Sequence, residues 1–194
     1  DEVQALIETL AETAPALAGG LVPKLLPLAN ATQVVQRLVE EGLPLRDPRT
    51  LVQALTNHAG RTQDPAELTE LVRPALGPLI VQALAGPRDA LSAIALDPQL
   101  EQLLAQAVRA APGSAWPFDP ELGTRVADAV AAGAAPLLAA GRRFAVVTAP
   151  GVRRPVWNLL RARLPQPVIL AFGEIPDDRR LEIVAVVGGP AQGA

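Results

Sequence analysis

Apolar residues recur at three- and four-residue spacing through the first part of the chain, which is the spacing of amphipathic helices. The first run ends at Gly19-Gly20 and places on one helical face Val3, Leu6, Ile7, Leu10, Ala14 and Leu17. The next stretch, residues 21–28, is apolar but contains Pro23 and Pro27, so it predicts an extended linker. The first 28 residues are therefore expected to form a helix followed by a linker.

A second helix is predicted where residues 30–33 have the spacing of a capping box. Its apolar face carries Val34, Val35, Leu38 and Val39. Gly42 follows this face at the position where glycine closes a helix with a left-handed residue. We therefore expect the helix to begin at Asn30 and to end before Gly42.

An Asp-Pro pair occurs four times, with the aspartates at Asp47, Asp64, Asp97 and Asp119. An aspartate before a proline is typical of a helix start, because the carboxylate caps free N–H groups and proline lacks the N–H that would otherwise remain unpaired. Glu67 follows Asp64 at capping-box spacing. We interpret the four aspartates as helix caps rather than acid catalysts.

Two prolines interrupt the apolar pattern that follows Pro65. An interior proline removes a helical hydrogen bond and costs about 3 kcal/mol. The sequence therefore predicts a bend or break near Leu71, before Pro74, with Pro78 starting a new turn.

The second part of the chain alternates between strand and helix patterns. Short apolar runs predict strands over residues 91–96, 144–148, 168–172 and 181–187, and helices are expected over residues 98–108, 121–140 and 152–163. The helix over residues 152–163 links the strands over 144–148 and 168–172 in a β–α–β unit, so these two strands should be parallel. The predicted fold class is mixed α and β: an all-helical subdomain, residues 1–85, followed by a small α/β subdomain with a short mixed sheet, residues 86–194.

Charge and composition exclude several classes of function. The chain is 49% hydrophobic and 19% charged with a net charge of −3, which is globular and offers little attraction to nucleic acid. Residues 1–108 carry a net charge of −6 and the remainder carries +3. With no cysteine and a single histidine, disulfides, iron–sulfur clusters and cysteine or multi-histidine zinc sites are excluded.

Candidate catalytic groups are few. Ser92 and Ser114 lie outside any nucleophile elbow, and His58 is the only histidine that could serve them. Lys24 is the only lysine and follows a proline, which excludes a phosphate-binding P-loop. We predict no catalytic, cofactor-binding or metal-binding residue.

No apolar stretch approaches the length of about 20 residues needed to span a bilayer. The sequence also contains no methionine, even at position 1. We therefore expect a piece of a longer protein, with any membrane contact made through a region before Asp1.

Several segments, in order, resemble the cytoplasmic region of the FlhA/SctV family, the large export-gate component of flagellar and virulence type III secretion systems. They are residues 21–26, 34–42, 45–50, 64–73, 96–101 and 168–176, the last reading VILAFGEIP. Together these segments extend over nearly the whole chain. The sequence departs from the family pattern at Pro44, Pro48, Pro74 and Pro78, which affects local helix geometry.

The resemblance implies the third and fourth of four cytoplasmic subdomains, in a protein that assembles into a nine-membered ring at the cytoplasmic face of the bacterial inner membrane. Binding and gating, without cofactor or bond chemistry, would pass export substrates and chaperones to the channel, driven by proton motive force and a separate ATPase complex. The expected ring contacts are Arg46, Asp47, Arg49, Asp64, Glu67, Glu70 and Arg73. The residues expected to face substrates and a companion switch protein are Glu174, Ile175 and Pro176.

Two alternatives stay open. The C-terminal sequence around residues 174–178 and 184–189 resembles the flagellar branch more than the virulence branch. A different class, a soluble α/β enzyme or nucleotide-binding module, would predict a defined pocket with convergent polar groups at the ends of the strands.

Overall fold

The computed structural model describes residues 25–87 and 89–188. The predicted helix from Val3 and most of the predicted linker lie outside these residues. The chain divides into two compact units after Ile80, and each is described by itself.

The first unit is helical. Its described helices are α1, Leu28–Glu40, α2, Pro48–His58, and α3, Pro65–Leu84, which continues past the division. Each helix turns an apolar face inward, and the fully buried residues include Leu26, Val34, Leu38, Leu51, Leu55, Leu68, Val72 and Ile80. Burial of these faces, rather than helix propensity, supplies most of the stability of helices this short.

The predicted start of α1 is wrong. The helix begins at Leu28, directly after Pro27, so Asn30 lies inside it. The Asn30 side-chain amide donates to the Gln63 carbonyl at 2.8 Å, so it contacts the segment before α3 rather than capping its own helix. The predicted end is confirmed: Gly42 has a φ of +70°, and its N–H donates to the Val39 carbonyl at 2.8 Å.

All four aspartates of the Asp-Pro pairs accept hydrogen bonds from helix-start N–H groups, as predicted. Asp47 accepts from Thr50 at 3.1 Å, Asp64 from Glu67 at 2.8 Å and Asp97 from Gln99 at 2.9 Å. Asp119 accepts from Glu121 and Leu122 at 3.0 and 3.1 Å. The Asp64 N–H donates to Thr62 Oγ1 at 3.2 Å, so a threonine side chain occupies the place that a capping box gives to a glutamate.

The predicted interruption of α3 is also wrong, because the helix continues through Pro74 and Pro78. Both prolines are exposed, whereas Val72, Leu76 and Ile80 are buried along the opposite side. Tertiary packing of that side holds the helix together across the two missing N–H donors.

The second unit is built on a four-stranded sheet. The strands are β1, Leu91–Leu96, β2, Ala145–Thr148, β3, Ile169–Ala171, and β4, Leu181–Val187. Their order is β3-β2-β1-β4 and every pairing is parallel. The α/β fold class and the parallel β2–β3 pair are confirmed, and the expectation of a mixed sheet is wrong: β4 returns beside β1 in the same direction.

Three α-helices accompany the sheet in the described residues: α4, Pro98–Ala110, α5, Pro120–Ala139, and α6, Arg153–Leu160. A short 3₁₀ turn, Pro150–Val152, precedes α6, so the predicted helix over residues 152–163 is shorter than expected. One core cluster joins the sheet to the helices and includes Ile94, Val126, Val130, Val146, Trp157 and Leu160.

The predicted helix over residues 121–140 is confirmed, even though it contains Gly133 and Pro136. A methyl group added at Gly133 would lie 3.1 Å from the Ala185 Cβ. Glycine therefore lets α5 approach β4 closely, which explains why a poor helix former stands in the middle of the helix.

Candidate interaction surfaces

The helix starts of the first unit carry most of the predicted ring contacts. Arg46 and Arg49 are exposed on either side of Asp47, which is engaged in capping α2. Thr50 donates to Asp47 from both its hydroxyl, at 2.6 Å, and its backbone, and these hydrogen bonds lower the pKa of Asp47. The start of α2 therefore carries two exposed guanidinium groups beside its capping aspartate.

The predicted contacts on α3 differ in their exposure. Asp64 and Glu67 are exposed at the helix start, and Glu70 is half-buried. Arg73 is fully buried, and its Nη1 lies 2.6 Å from Glu41 Oε2. Arg73 thus differs from the other six predicted ring contacts in being fully buried, and its charge is paired because a charge inside a unit requires an opposite charge close by.

A polar groove between α2 and α3 includes Arg49 from the start of α2, and it was not predicted from the sequence. It has a volume of about 460 Å³ and is lined by Arg49, Thr50, Gln53, Ala54, Asn57 and Ala75. Gln53 donates to Asn57 at 3.1 Å along its floor. The signal was present as polar residues at positions 49, 53 and 57, one helical turn apart on the same face of α2.

The loop after β3 carries the residues predicted to face substrates and the switch protein. Glu174 is buried, accepts from the Ala171 N–H at 3.2 Å and lies 3.8 Å from the Nε of buried Arg153. The Glu174 carboxylate is therefore engaged inside the unit, and contact of residues 174–176 with a partner stays a prediction. Ile175 and Pro176 are half-buried, and the neighbouring Phe172 is 52% exposed.

Two of the candidate catalytic residues, Ser92 and Ser114, take part in structural hydrogen bonds, and the third, His58, belongs to the other unit. Ser92 is buried in β1 and accepts from Arg142 at 2.6 Å, and Ser114 accepts from the Trp116 N–H at 3.2 Å. His58 ends α2 in the first unit, half-buried. Across residues 25–87 and 89–188, no group of three or more His, Cys, Asp or Glu side chains could hold a metal ion.

A cleft of about 430 Å³ lies at the carboxyl end of β4. It is lined by Gln99, Leu100, Leu103, Leu122, Arg125, Val126, Ala129, Val187 and Gly188. Gln99 and Arg125 are its two polar side chains, and the other lining residues are apolar or glycine. Catalysis requires convergent acid, base or nucleophilic groups, and this lining contains no carboxylate, hydroxyl or imidazole.

In the part of the chain that the structure describes, no helix combines the length and apolarity required to traverse a bilayer. The described residues thus form a helical unit followed by a small parallel α/β unit, with charged side chains exposed at the helix starts of the first unit. The chain belongs to the FHIPEP family, whose profile matches residues 1–180.

Individual relatives agree with this assignment. The flagellar biosynthesis protein FlhA of Escherichia coli is 34% identical over 188 residues, which are 97% of this chain and 27% of FlhA. The Chlamydia pneumoniae CdsV protein, in a solved complex with CdsO, is 28% identical with a TM-score of 0.82, over 95% of this chain and 53% of CdsV. The chain thus spans about a quarter of its curated relative and about half of the solved chain.

A cryo-EM structure of nonameric EPEC SctV-C shares the fold, with a TM-score of 0.77 and 22% identity over 96% of this chain and 55% of that one. The predicted family membership and fold class are confirmed.

Proposed function

We propose that this chain is the third and fourth subdomains of the cytoplasmic region of a flagellar export gate, and that it works by binding and gating rather than by catalysis. The carrying observation is the similarity to E. coli FlhA along 97% of the chain. In the intact protein these subdomains would belong to a nine-membered ring at the cytoplasmic face of the inner membrane, held there by a region before Asp1. The nonameric SctV-C relative supports the ring.

In this proposal the first unit makes the ring contacts. Arg46, Arg49, Asp64 and Glu67 combine opposite charges at exposed helix starts, next to the groove between α2 and α3. Exposed charge pairs give weak and reversible contacts that salt screens. Asp47, Glu70 and Arg73, which are partly or fully buried, would support these contacts from inside the unit.

The second unit would face export substrates, their chaperones, the switch protein and the ATPase complex. The complex of CdsV with CdsO supports a role in binding further export components. Phe172, Ile175 and Pro176 supply the apolar surface of the loop after β3. An apolar surface of three residues is small, and small interfaces favour transient docking over permanent association.

The virulence injectisome is the second candidate system, because CdsV matches the fold at a TM-score of 0.82. We favour the flagellar system on the 34% identity with FlhA, against 28% with CdsV. Replacing the matching segment of E. coli FlhA with this chain tests the choice. Restored swimming and export of flagellar subunits would support the flagellar role, and normal expression without export would contradict it.

The ring contacts are tested on the chain itself by sedimentation velocity at low and high salt. We expect self-association that weakens as salt rises, and that Arg49→Glu abolishes, because it places a like charge at the contact. Arg61→Glu is the matched control, since Arg61 is also exposed in the first unit but lies outside the predicted set. Equal loss in both variants would contradict the assigned surface.

A further inference from the structure

The two tryptophans of the chain lie on elements of the second unit that contact each other. Trp157 is in α6 and is 4% exposed, whereas Trp116 lies in the loop after α4 and is 58% exposed. The Asn158 side-chain amide joins the two elements by donating to the Ala115 carbonyl at 3.0 Å. We call Trp116, Arg154, Trp157, Asn158 and Arg161 the tryptophan–arginine surface.

The loop that carries Trp116 is held by its own hydrogen bonds. Gly113 has a φ of +76°, the Ser114 N–H donates to the Ala111 carbonyl at 3.1 Å, and the Trp116 N–H donates to Ser114 Oγ at 3.2 Å. An ordered loop that leaves a large indole in water loses the stabilisation that burial would give. A loop fixed in this way presents the indole at little further entropic cost when a partner binds.

Two arginines stack on the other tryptophan. Arg154 Cζ lies 4.4 Å from the centroid of the Trp157 ring, and Arg161 Cζ lies 5.1 Å from it. Stacking uses the face of a guanidinium, and in Arg161 it leaves the N–H donors at the edge for a carboxylate. Arg154 lies four residues before Asn158 and Arg161 lies three residues after it, so all three share one side of α6.

Arg161 differs from a nearby arginine in its pairing. Arg163 Nη2 lies 3.3 Å from Asp128 Oδ1. Arg161 is exposed, and its interaction within the described residues is the stacking on Trp157 rather than an ion pair. The surface thus offers a positioned cation at Arg161 and an exposed indole in the loop that Asn158 contacts.

We propose that the tryptophan–arginine surface binds an acidic protein segment, one of whose carboxylates pairs with Arg161 while an apolar side chain covers Trp116. Tryptophan and arginine are the residue types most enriched among those that dominate binding energy. A protein segment suits the surface better than nucleic acid, because residues 109–194 carry a net charge of only +3 and so provide no broad field for a polyphosphate. This inference goes beyond the gate proposal, since it requires neither a ring nor a particular secretion system.

The test uses the 194-residue chain and a fluorescein-labelled synthetic helix of glutamate, leucine and alanine, followed by anisotropy at low salt. We expect saturable binding that weakens with salt. Trp116→Ala and Arg161→Glu should each weaken it at least about tenfold. Arg109→Glu and Leu138→Ala are matched controls, since both residues are exposed elsewhere on the second unit, and they should change the affinity by less than about twofold.

Three results would overturn the proposal. They are no binding of the acidic helix, equal binding of a version with glutamine in place of glutamate, and equal weakening by Arg109→Glu and Arg161→Glu. Stronger competition by single-stranded DNA than by unlabelled peptide would instead assign the surface to nucleic acid. Acrylamide quenching of the native chain gives a readout without variants that could misfold: bound peptide should protect Trp116, and unchanged quenching would contradict contact at this surface.

Discussion

Arg73 and Glu41 form an ion pair inside the first unit, with 2.6 Å between Nη1 and Oε2 and side-chain exposures of 0% and 2%. Glu41 follows α1 and Arg73 lies in α3, so the pair joins the end of α1 to α3 across 32 residues of sequence. Both residues also take part in further contacts. Removing one partner leaves the other charge buried without this ion pair, which is more costly than losing both partners.

We therefore expect Arg73→Met to lower the free energy of unfolding of the first unit by about 3 to 5 kcal/mol. The double variant Arg73→Met, Glu41→Leu should recover most of this loss, because no charge then remains buried. Urea unfolding followed by far-UV circular dichroism measures both. A double variant no more stable than the single one would contradict the explanation.

Asp47 connects helix capping to acid sensitivity. The Thr50 hydroxyl and N–H hydrogen bonds lower the pKa of Asp47. Because the folded pKa is below the unfolded value, the carboxylate stabilises the folded chain at neutral pH, and this stabilisation is lost as pH falls through the folded pKa, below about pH 4. Thr50→Val removes the hydroxyl donor, so the Asp47 pKa should rise toward its ordinary value in an NMR titration. An unchanged pKa would show that the hydroxyl is not its main cause.

Substitutions at Gly42 and Gly60 distinguish the effect of backbone conformation from the effect of steric space. A methyl group at either position meets no atom within 4 Å, but Gly42 has a φ of +70° and Gly60 lies outside the left-handed region. Gly42→Ala should destabilise the first unit by about 1 to 2 kcal/mol, whereas Gly60→Ala should stabilise it by about 0.4 to 1 kcal/mol. Thermal unfolding of the two variants in parallel checks the contrast, and an equal effect of both would contradict it.

Pro74 offers a stabilising change. Alanine at this exposed interior position would restore an N–H donor within α3, and we expect Pro74→Ala to raise the free energy of unfolding by about 1 to 3 kcal/mol. Pro48→Ala is the control, because Pro48 starts α2, where no such donor is needed. A loss of stability in Pro74→Ala would mean that the packing of α3 requires the proline.

Local sequence patterns correctly predicted the features that depend on interactions between neighbouring residues. The four Asp-Pro pairs, the Gly42 stop and the strand runs depend on neighbouring residues, and the structure has each of them. Asn30, Pro74 and Pro78 were interpreted wrongly because distant contacts override local preference: Gln63 engages Asn30, and buried neighbours hold α3 together. Tertiary context decides such cases.

The surfaces were predicted less well than the fold, for a related reason. Arg73 and Glu174 are charged and were expected on the outside, but each finds an opposite charge that is remote in sequence. Trp116 is remote in sequence from the other residues of the tryptophan–arginine surface, so no local pattern groups them. The link from Asn158 to Ala115, across 43 residues, is visible only in three dimensions.

The arrangement of the sheet also has a consequence for synthesis. β1 is an inner strand that pairs with β2 on one side and with β4 on the other, and β4 is the last of the described strands to leave the ribosome. Until residues 181–187 emerge, one edge of β1 has no native partner, while the helical unit is already complete and free to fold. Vectorial translation therefore separates the two folding events, and the second unit passes through an interval in which a chaperone or a wrong strand could occupy the open edge.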